Sequence, residues 1–489
     1  MKRTTSLIAA ILGAALASSA WGQSSPEITV YNQGFALVKE SRVLNLKAGV
    51  QKLAFEDVAA QIESDSVSIR SISAPGSFSI LEQNYQYDLI SPTAILMKAI
   101  GSKITLNRVL PNGQKEVVRG TLLSAPGAIA TGDGGYMYTG MVLKADDGRV
   151  ILSPSGEISV DELPGGLISK PTLMWLLDSQ RAGSNTVEMS YITGGMAWRT
   201  SYVINLEQNG LNGDFKGWVT LTNNSGRTYE NAKLKLLAGE VERAQDSFGR
   251  GGGGAPRAAM KQAANAGFAE EQFSDYHLYT LGRPTTVANN EMKQVSLLEA
   301  AGMKVTKRLV LDPMMNYQGW RSQEGEVGTG TIKPQIRIEF QNKKENQLGI
   351  PLPMGTIKVF QRDSSGSLQL LGEDRIDHTP KDEKVSLVVG RAFDVVAERK
   401  RTKFSYIYRS ADKGQGPIGA RESFEIEIRN RKETSETVDL IERYWGDWKV
   451  TANSDPFTKL DADSMLFKIV LKPNEVRKVT FTVENRWAQ

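Results

Sequence analysis

Apolar residues recur at every second position along much of this chain, most plainly between Gly194 and Arg243. Tyr202, Ile204 and Leu206 form one such run. Val219 with Leu221 forms the next, and Ala232, Leu234 and Leu236 a third. Asn-Gly, Asn-Asn-Ser-Gly and Ala-Gly steps punctuate them. A period of two bounded by turn residues predicts antiparallel strands that bury one face. The fold class expected from this pattern is all-β, built of antiparallel β-sandwich modules with a small β-barrel-like insertion.

The same alternation extends outwards in both directions. Residues 23–90 predict an N-terminal β domain, with turns at Tyr31-Asn32-Gln33-Gly34 and Lys47-Ala48-Gly49 and strands near Gln51–Phe55 and Ser66–Ile72. Residues 91–168 differ. Ser91-Pro92-Thr93 predicts the cap and first turn of a short helix ending at Gly101. Short strands follow at Lys103–Leu106, Glu116–Leu123, Met137–Lys144 and Arg149–Ser153, with Asn112-Gly113 and Asp147-Gly148 as hairpin turns. This is the barrel-like insertion. Residues 169–243 resume the sandwich pattern, beginning with a predicted hairpin between Thr172–Asp178 and Thr186–Ile192. Residues 244–270 are rich in Gly, Ala and Gln and are expected to form a flexible loop. Further strands fall within 271–330, and 331–489 predicts a C-terminal sandwich of immunoglobulin size, with a hairpin turn at Asp363-Ser364-Ser365-Gly366.

Composition narrows the setting. Lys2 and Arg3 precede an apolar run from Leu7 to Ala17, and Ala20-Trp21-Gly22 marks an exit, so residues 1–22 are expected to be a secretory signal peptide. No later apolar run reaches membrane-spanning length, and the expected location is periplasmic or extracellular. The chain has no cysteine, which removes disulfides and a thiol-linked lipid anchor. Its formal charge is +4, with 59 bases against 55 acids, and two of those bases lie in the leader. A near-balanced chain has no global field for nucleic acid.

Several stretches in the latter two thirds of the chain resemble a known family. They are Ala197-Trp198-Arg199-Thr200-Ser201-Tyr202, Thr222-Asn223-Asn224-Ser225-Gly226 with Tyr229-Glu230-Asn231-Ala232, Leu352-Pro353-Met354-Gly355-Thr356, Leu371-Gly372-Glu373-Asp374 with Pro380, Val389-Gly390-Arg391-Ala392-Phe393 and Gly446-Asp447-Trp448. In this order they are similar to secreted bacterial proteins with the mucoidy-inhibitor-A-like C-terminal domain of unknown function. The resemblance implies an all-β fold in an envelope or extracellular setting, and implies no reaction. Many such proteins carry a coiled coil ahead of the domain; no heptad run occurs here.

Candidate chemistry is sparse. His277 and His378 are the only histidines, with no HExxH spacing, so no metal or other cofactor is expected. Asp461-Ala462-Asp463 and Asp146-Asp147-Gly148 are acidic turns that do not complete an EF-hand loop. Gly249 to Gly254 satisfies GxGxxG in form, but lacks the flanking strand and helix that aim backbone amides at phosphate. No GxSxG motif occurs. Glu442 and Asp447 lie beside Tyr444, Trp445 and Trp448, a grouping that a carboxylate-dependent glycan hydrolase or a glycan-binding surface could use. Assignment of these aromatic rings to a sandwich core is preferred, and the three remain candidates for surface binding. The basic runs Arg399-Lys400-Arg401-Thr402-Lys403 and Arg429-Asn430-Arg431-Lys432 are interleaved with glutamates, as on solvated strands. The expected function is that of a secreted, non-enzymatic binding or scaffold protein of the cell envelope, with an envelope protein or polysaccharide as partner. The alternative is a hydrolase of polysaccharide or cell-wall material.

Overall fold

The computed structural model describes residues 25–87, 89–124, 127–130, 136–243, 268–315, 328–408 and 416–487. The leader at 1–22 and most of the Gly/Ala-rich segment, 244–267, lie outside the described residues. Among the described residues the regular structure is nearly all strand, with one short α-helix. β1 (Glu27–Tyr31), β2 (Phe35–Leu46) and β3 (Gly49–Glu56) are separated by the two expected turns. β4 (Ser68–Ser71) and β5 (Phe78–Gln86) follow. Helix α1 (Pro92–Lys98) starts where the sequence predicts, with Ser91 Oγ accepting from the Ala94 N–H at 3.1 Å. Next come β6 (Lys103–Val109), β7 (Lys115–Ser124), β8 (Gly127–Ala130), β9 (Tyr136–Thr139), β10 (Val142–Ala145), β11 (Val150–Leu152) and β12 (Glu157–Val160). β13 (Thr172–Ser179), β14 (Gly183–Gly194), β15 (Met196–Leu206), β16 (Asn212–Asn223) and β17 (Tyr229–Ala238) are the longer strands of the middle of the chain.

After the segment at 244–267 the strands are β18 (Phe268–Phe273), β19 (Tyr276–Leu281), β20 (Thr285–Val287), β21 (Glu291–Lys304), β22 (Thr306–Leu311), β23 (Gly330–Ile332) and β24 (Gln335–Gln341). β25 (Gly355–Arg362), β26 (Leu368–Ile376), β27 (Lys384–Arg391), β28 (Val395–Ile407), β29 (Gly419–Asn430) and β30 (Glu436–Arg443) precede β31 (Asp447–Asn453), β32 (Phe457–Lys459), β33 (Ser464–Leu471) and β34 (Val476–Arg486).

The strands divide into two compact units. The first takes the chain up to Ala197, then Thr222–Lys235 and Arg283–Met292; the second takes Trp198–Leu221, Leu236–Gly282 and the chain from Lys293 onwards. These limits differ from the boundaries drawn at 243, 270 and 330. Composition marks loops, whereas a unit is defined by pairing between distant segments.

In the first unit, one sheet runs β17–β1–β2–β14–β4, with β20 on β17, and a second runs β3–β13–β5. The larger sheet buries Ile28, Val30, Val38, Val187, Met189 and Tyr191, and the smaller buries Phe55, Leu173, Trp175 and Leu177. The predicted hairpin between the segments near 172–178 and 186–192 is corrected here. β13 pairs with β3 and β5, while β14 pairs with β2 and β4, so the chain changes sheet between them. Adjacent alternating strands carry no record of which sheet each joins. The insertion forms a sheet in the order β11–β10–β7–β6–β12, with α1 against its core of Leu96, Ile104, Leu106, Val118, Leu122 and Leu143. It has the short strands and tight turns of a small barrel, and its sheet is open. β8 and β9 form a separate ribbon.

In the second unit, β27–β24–β22–β30–β33–β32 faces β23–β28–β29–β34–β31. Leu309, Val438, Leu440 and Phe467 of the first sheet share a buried core with Ala397, Ile426, Val479 and Phe481 of the second. This is the C-terminal sandwich, extended back to take in β22. A further sheet has the order β21–β16–β15–β25–β26. Tyr202, Ile204, Leu206, Val219, Leu221, Ala232, Leu234 and Leu236, the alternating set read from the sequence, are all at most 1 % exposed. Most neighbouring strands are antiparallel; β15–β25 and β22–β30 are parallel.

Candidate functional site

The residues nominated from the sequence fall on both sides of the protein surface. Glu442 is completely buried and is held by Arg399 through two contacts, Nε to Oε1 at 2.9 Å and Nη2 to Oε2 at 2.8 Å. Arg399 also donates to the Gly328 carbonyl at 3.2 Å and lies 3.9 Å above the Phe424 ring. Burial works against its charge, but Glu442 outweighs that and raises its pKa. Asp447, in contrast, is exposed. The two carboxylates therefore do not flank a common cleft. Tyr444 and Trp448 are buried in the sandwich core, with ring centroids 5.9 Å apart, and Trp448 Nε1 donates to the Ala462 carbonyl at 2.7 Å. Neither offers a ring face to a sugar. Trp445 is half-buried.

The remaining candidates have local partners. His277 Nδ1 lies 2.8 Å from Glu270 Oε1 across the β18–β19 hairpin. His378 Nδ1 accepts from the Met354 N–H at 3.2 Å, and burial, with a lesser push from His277, holds its pKa below the usual range. Among the described residues, no three acidic or histidine side chains converge as a metal site. Asp461 and Asp147 accept from backbone N–H groups two residues on, at 2.8 and 3.0 Å, so each closes its own turn. Gly249–Gly254 lies outside the described residues. Of the basic run, Arg399 is internal, Lys400 pairs with Glu398 at 3.0 Å and Arg401 with Glu422 at 2.8 Å.

A second internal lock, unnoticed in the sequence, occupies the first unit. Glu40 follows Ala36 and Val38 on the inward face of β2. Arg227 clasps it with Nη1 to Oε1 at 2.8 Å and Nη2 to Oε2 at 3.0 Å, and also donates to Tyr191 Oη at 3.0 Å. Arg42 reaches the same carboxylate at 3.1 Å, stacks 3.9 Å over Phe55 of β3, and donates to the Glu56 and Asp57 carbonyls. Burial alone pushes the Glu40 carboxyl upwards, but Arg227 and Arg42 overcome this and hold it below the usual carboxylate range. The signal was available: a charge at an inward step of an alternating strand needs a buried partner.

The motifs that carry the family resemblance are fasteners. Tyr202 Oη donates to the Pro353 carbonyl at 2.8 Å, and Thr200 Oγ1 to that of Met354 at 2.5 Å, so the first motif holds the third. Tyr279 Oη adds a bond to the Pro351 carbonyl at 2.9 Å. Asp374 Oδ2 accepts from the Val388 N–H at 2.7 Å, and a Cβ on Gly372 would stand 2.0 Å from the Val389 carbonyl oxygen. Gly226, at φ +86°, lets the loop approach so closely that a Cβ there would lie 2.3 Å from that of Ala60. Three fully buried asparagines close strand ends in one way. Asn223 Nδ2 donates to the Arg227 and Val287 carbonyls, Asn342 Nδ2 to those of Ile350 and Pro380, and Asn430 Nδ2 to those of Thr434 and Lys472. Each Oδ1 accepts a loop N–H, from Ser225, Gly349 and Lys432 respectively.

What the first unit leaves open is a cleft of about 520 Å³ along β4, lined by Ile69, Arg70, Ser71, Ile72, Phe78 and Glu188 among others. Glu188, on β14, accepts from Lys39 of β2 at 2.9 Å and from Arg70 of β4 at 2.6 Å. Lys39, ahead of Arg70, holds its carboxyl below the usual range. A smaller cleft of about 180 Å³ in the second unit is bordered by Lys333, Arg391 and Asp312, the last already clamped by Arg443 at 2.8 Å. Compared with known protein families and with curated proteins, the chain matches none of them.

Proposed function

We propose that this protein is exported and works in the cell envelope as a non-enzymatic binding or scaffold protein, taking an envelope protein or polysaccharide as its partner. One observation carries the proposal. The carboxylate and the aromatic side chains that a reaction would most readily recruit, Glu442, Tyr444 and Trp448, are consumed as internal fasteners, while an open cleft lies along a strand edge. The leader-like start of the sequence supports export, and the ordered motifs support kinship with the envelope family that they resemble. The hydrolase alternative drew on Glu442 with Asp447, and their placement gives that pair no shared cleft. The test is to titrate the purified protein, freed of its first 22 residues, against cell-envelope fractions. Saturable retention without release of sugar or peptide fragments is expected. Fragments accumulating with turnover, or no saturable retention, would count against the reading.

A further inference from the structure

We infer that the outer edge of β4 is a docking edge for an extended acidic peptide segment, added as a further strand to the sheet of the first unit. This rests on the reading of the protein as a binding scaffold and names the surface and partner class.

The edge is open. β4 is the last strand of its sheet, and among the described residues it pairs only with β14. The Ile72 N–H donates to the Thr186 carbonyl at 2.8 Å, and the register Arg70↔Glu188 continues the same ladder. In an antiparallel pair, ladder bonds alternate from residue to residue. Arg70 and Ile72 therefore direct their backbone groups towards β14, and Ile69 and Ser71 direct theirs to the outer side. The 520 Å³ cleft is lined by Ile69, Arg70, Ser71 and Ile72 of this strand and its end. Ile72 is 49 % exposed beside it, and Phe78 lines its inner wall.

The charge pattern selects the occupant. Across the outward face, Lys39, Glu188 and Arg70 alternate in sign from β2 to β14 to β4. Two cations share one carboxylate, and the row ends on a cation. A strand laid along β4 continues the alternation if it places Asp or Glu opposite Arg70. Its neighbouring residues, pointing inwards, meet Ile69 and Phe78 and are satisfied by apolar side chains. The matching segment is thus extended, with an acid flanked by apolar residues. Main-chain bonds to Ile69 and Ser71 supply attachment, and the acid fixes register.

The test uses the leaderless full chain and two fluorescent peptides of sequence Thr-Val-Glu-Val-Thr-Ile and Thr-Val-Lys-Val-Thr-Ile. Binding of the acidic peptide is expected to be about tenfold tighter than that of the lysine peptide, with Arg70→Glu reversing the order. Ile69→Pro removes an outward N–H without touching the β14 ladder, and is expected to abolish binding. Hydrogen exchange on the unmutated protein gives an independent readout: the Ile69 and Ser71 amides exchange freely alone and become protected with the acidic peptide. Protection of both amides without peptide, equal affinity for the two peptides, or binding unmoved by Arg70→Glu overturns the inference. Envelope retention that survives Ile69→Pro locates the partner elsewhere and leaves the scaffold reading standing; loss of all retention in the unmutated protein removes that reading instead.

Discussion

Glu40 is a carboxylate that the fold holds ionised against burial. With Arg227 on one side and Arg42 on the other, its charge is worth keeping only while both arginines remain in place. Removing one member of such a buried pair costs about 3–5 kcal/mol, because the other charge is stranded. Glu40→Gln is therefore expected to lower stability by that amount in chemical denaturation, whereas Glu40→Leu combined with Arg227→Met recovers most of it. The pH dependence follows from the lowered pKa. The carboxylate's contribution is fully present above its unfolded value, near 4.5, and is lost as pH falls through the lower folded value. Denaturation midpoints of the unmutated protein are expected to drop on acidification below that value, and those of Glu40→Gln to drop less. The buried asparagines obey similar logic without charge. Asn430→Ala leaves the Thr434 and Lys472 carbonyls without their donor, and a loss of about 1–3 kcal/mol is expected from the same measurement.

At the scale of elements, strand existence was legible and strand partnership was not. The burial alternation of β14, β15 and β29 is what a period of two prescribes. The cap at Ser91 was legible too, because its oxygen and the following proline act within one turn. The supposed hairpin ahead of β14 failed because pairing is decided by segments such as β2 and β5, 86 or more residues away from their partners in β14 and β13. The order of the motif residues was legible as pattern, but their work was not. Thr200 and Tyr202 mean little until Pro353 and Met354 lie beside them. Gly372 illustrates the point: its packing against the Val389 carbonyl has no signature along the chain. Gly372→Ala is expected to cost about 1–3 kcal/mol through overpacking, read as a lower thermal midpoint.

At the scale of the whole molecule, two units assemble from interleaved segments, and each seals a glutamate–arginine pair inside it. Loops conspicuous in composition do not mark the limits of these units, since compactness is a property of contacts between distant parts of the chain. The candidate chemistry at Glu442, Tyr444 and Trp448 was legible as a cluster, and its inward direction was not. A β strand turns successive side chains to opposite faces, but the sequence does not say which face is covered.

The central claim is that the buried carboxylates hold the fold together while binding is a matter of the surface. Glu442 tests it most directly, by comparing the stability and glycan-cleaving activity of the leaderless full chain before and after Glu442→Gln. The account predicts a loss of about 3–5 kcal/mol in unfolding free energy, with no glycan turnover before or after the change. Unchanged or increased stability, together with an activity on glycans that disappears in the variant, would contradict it.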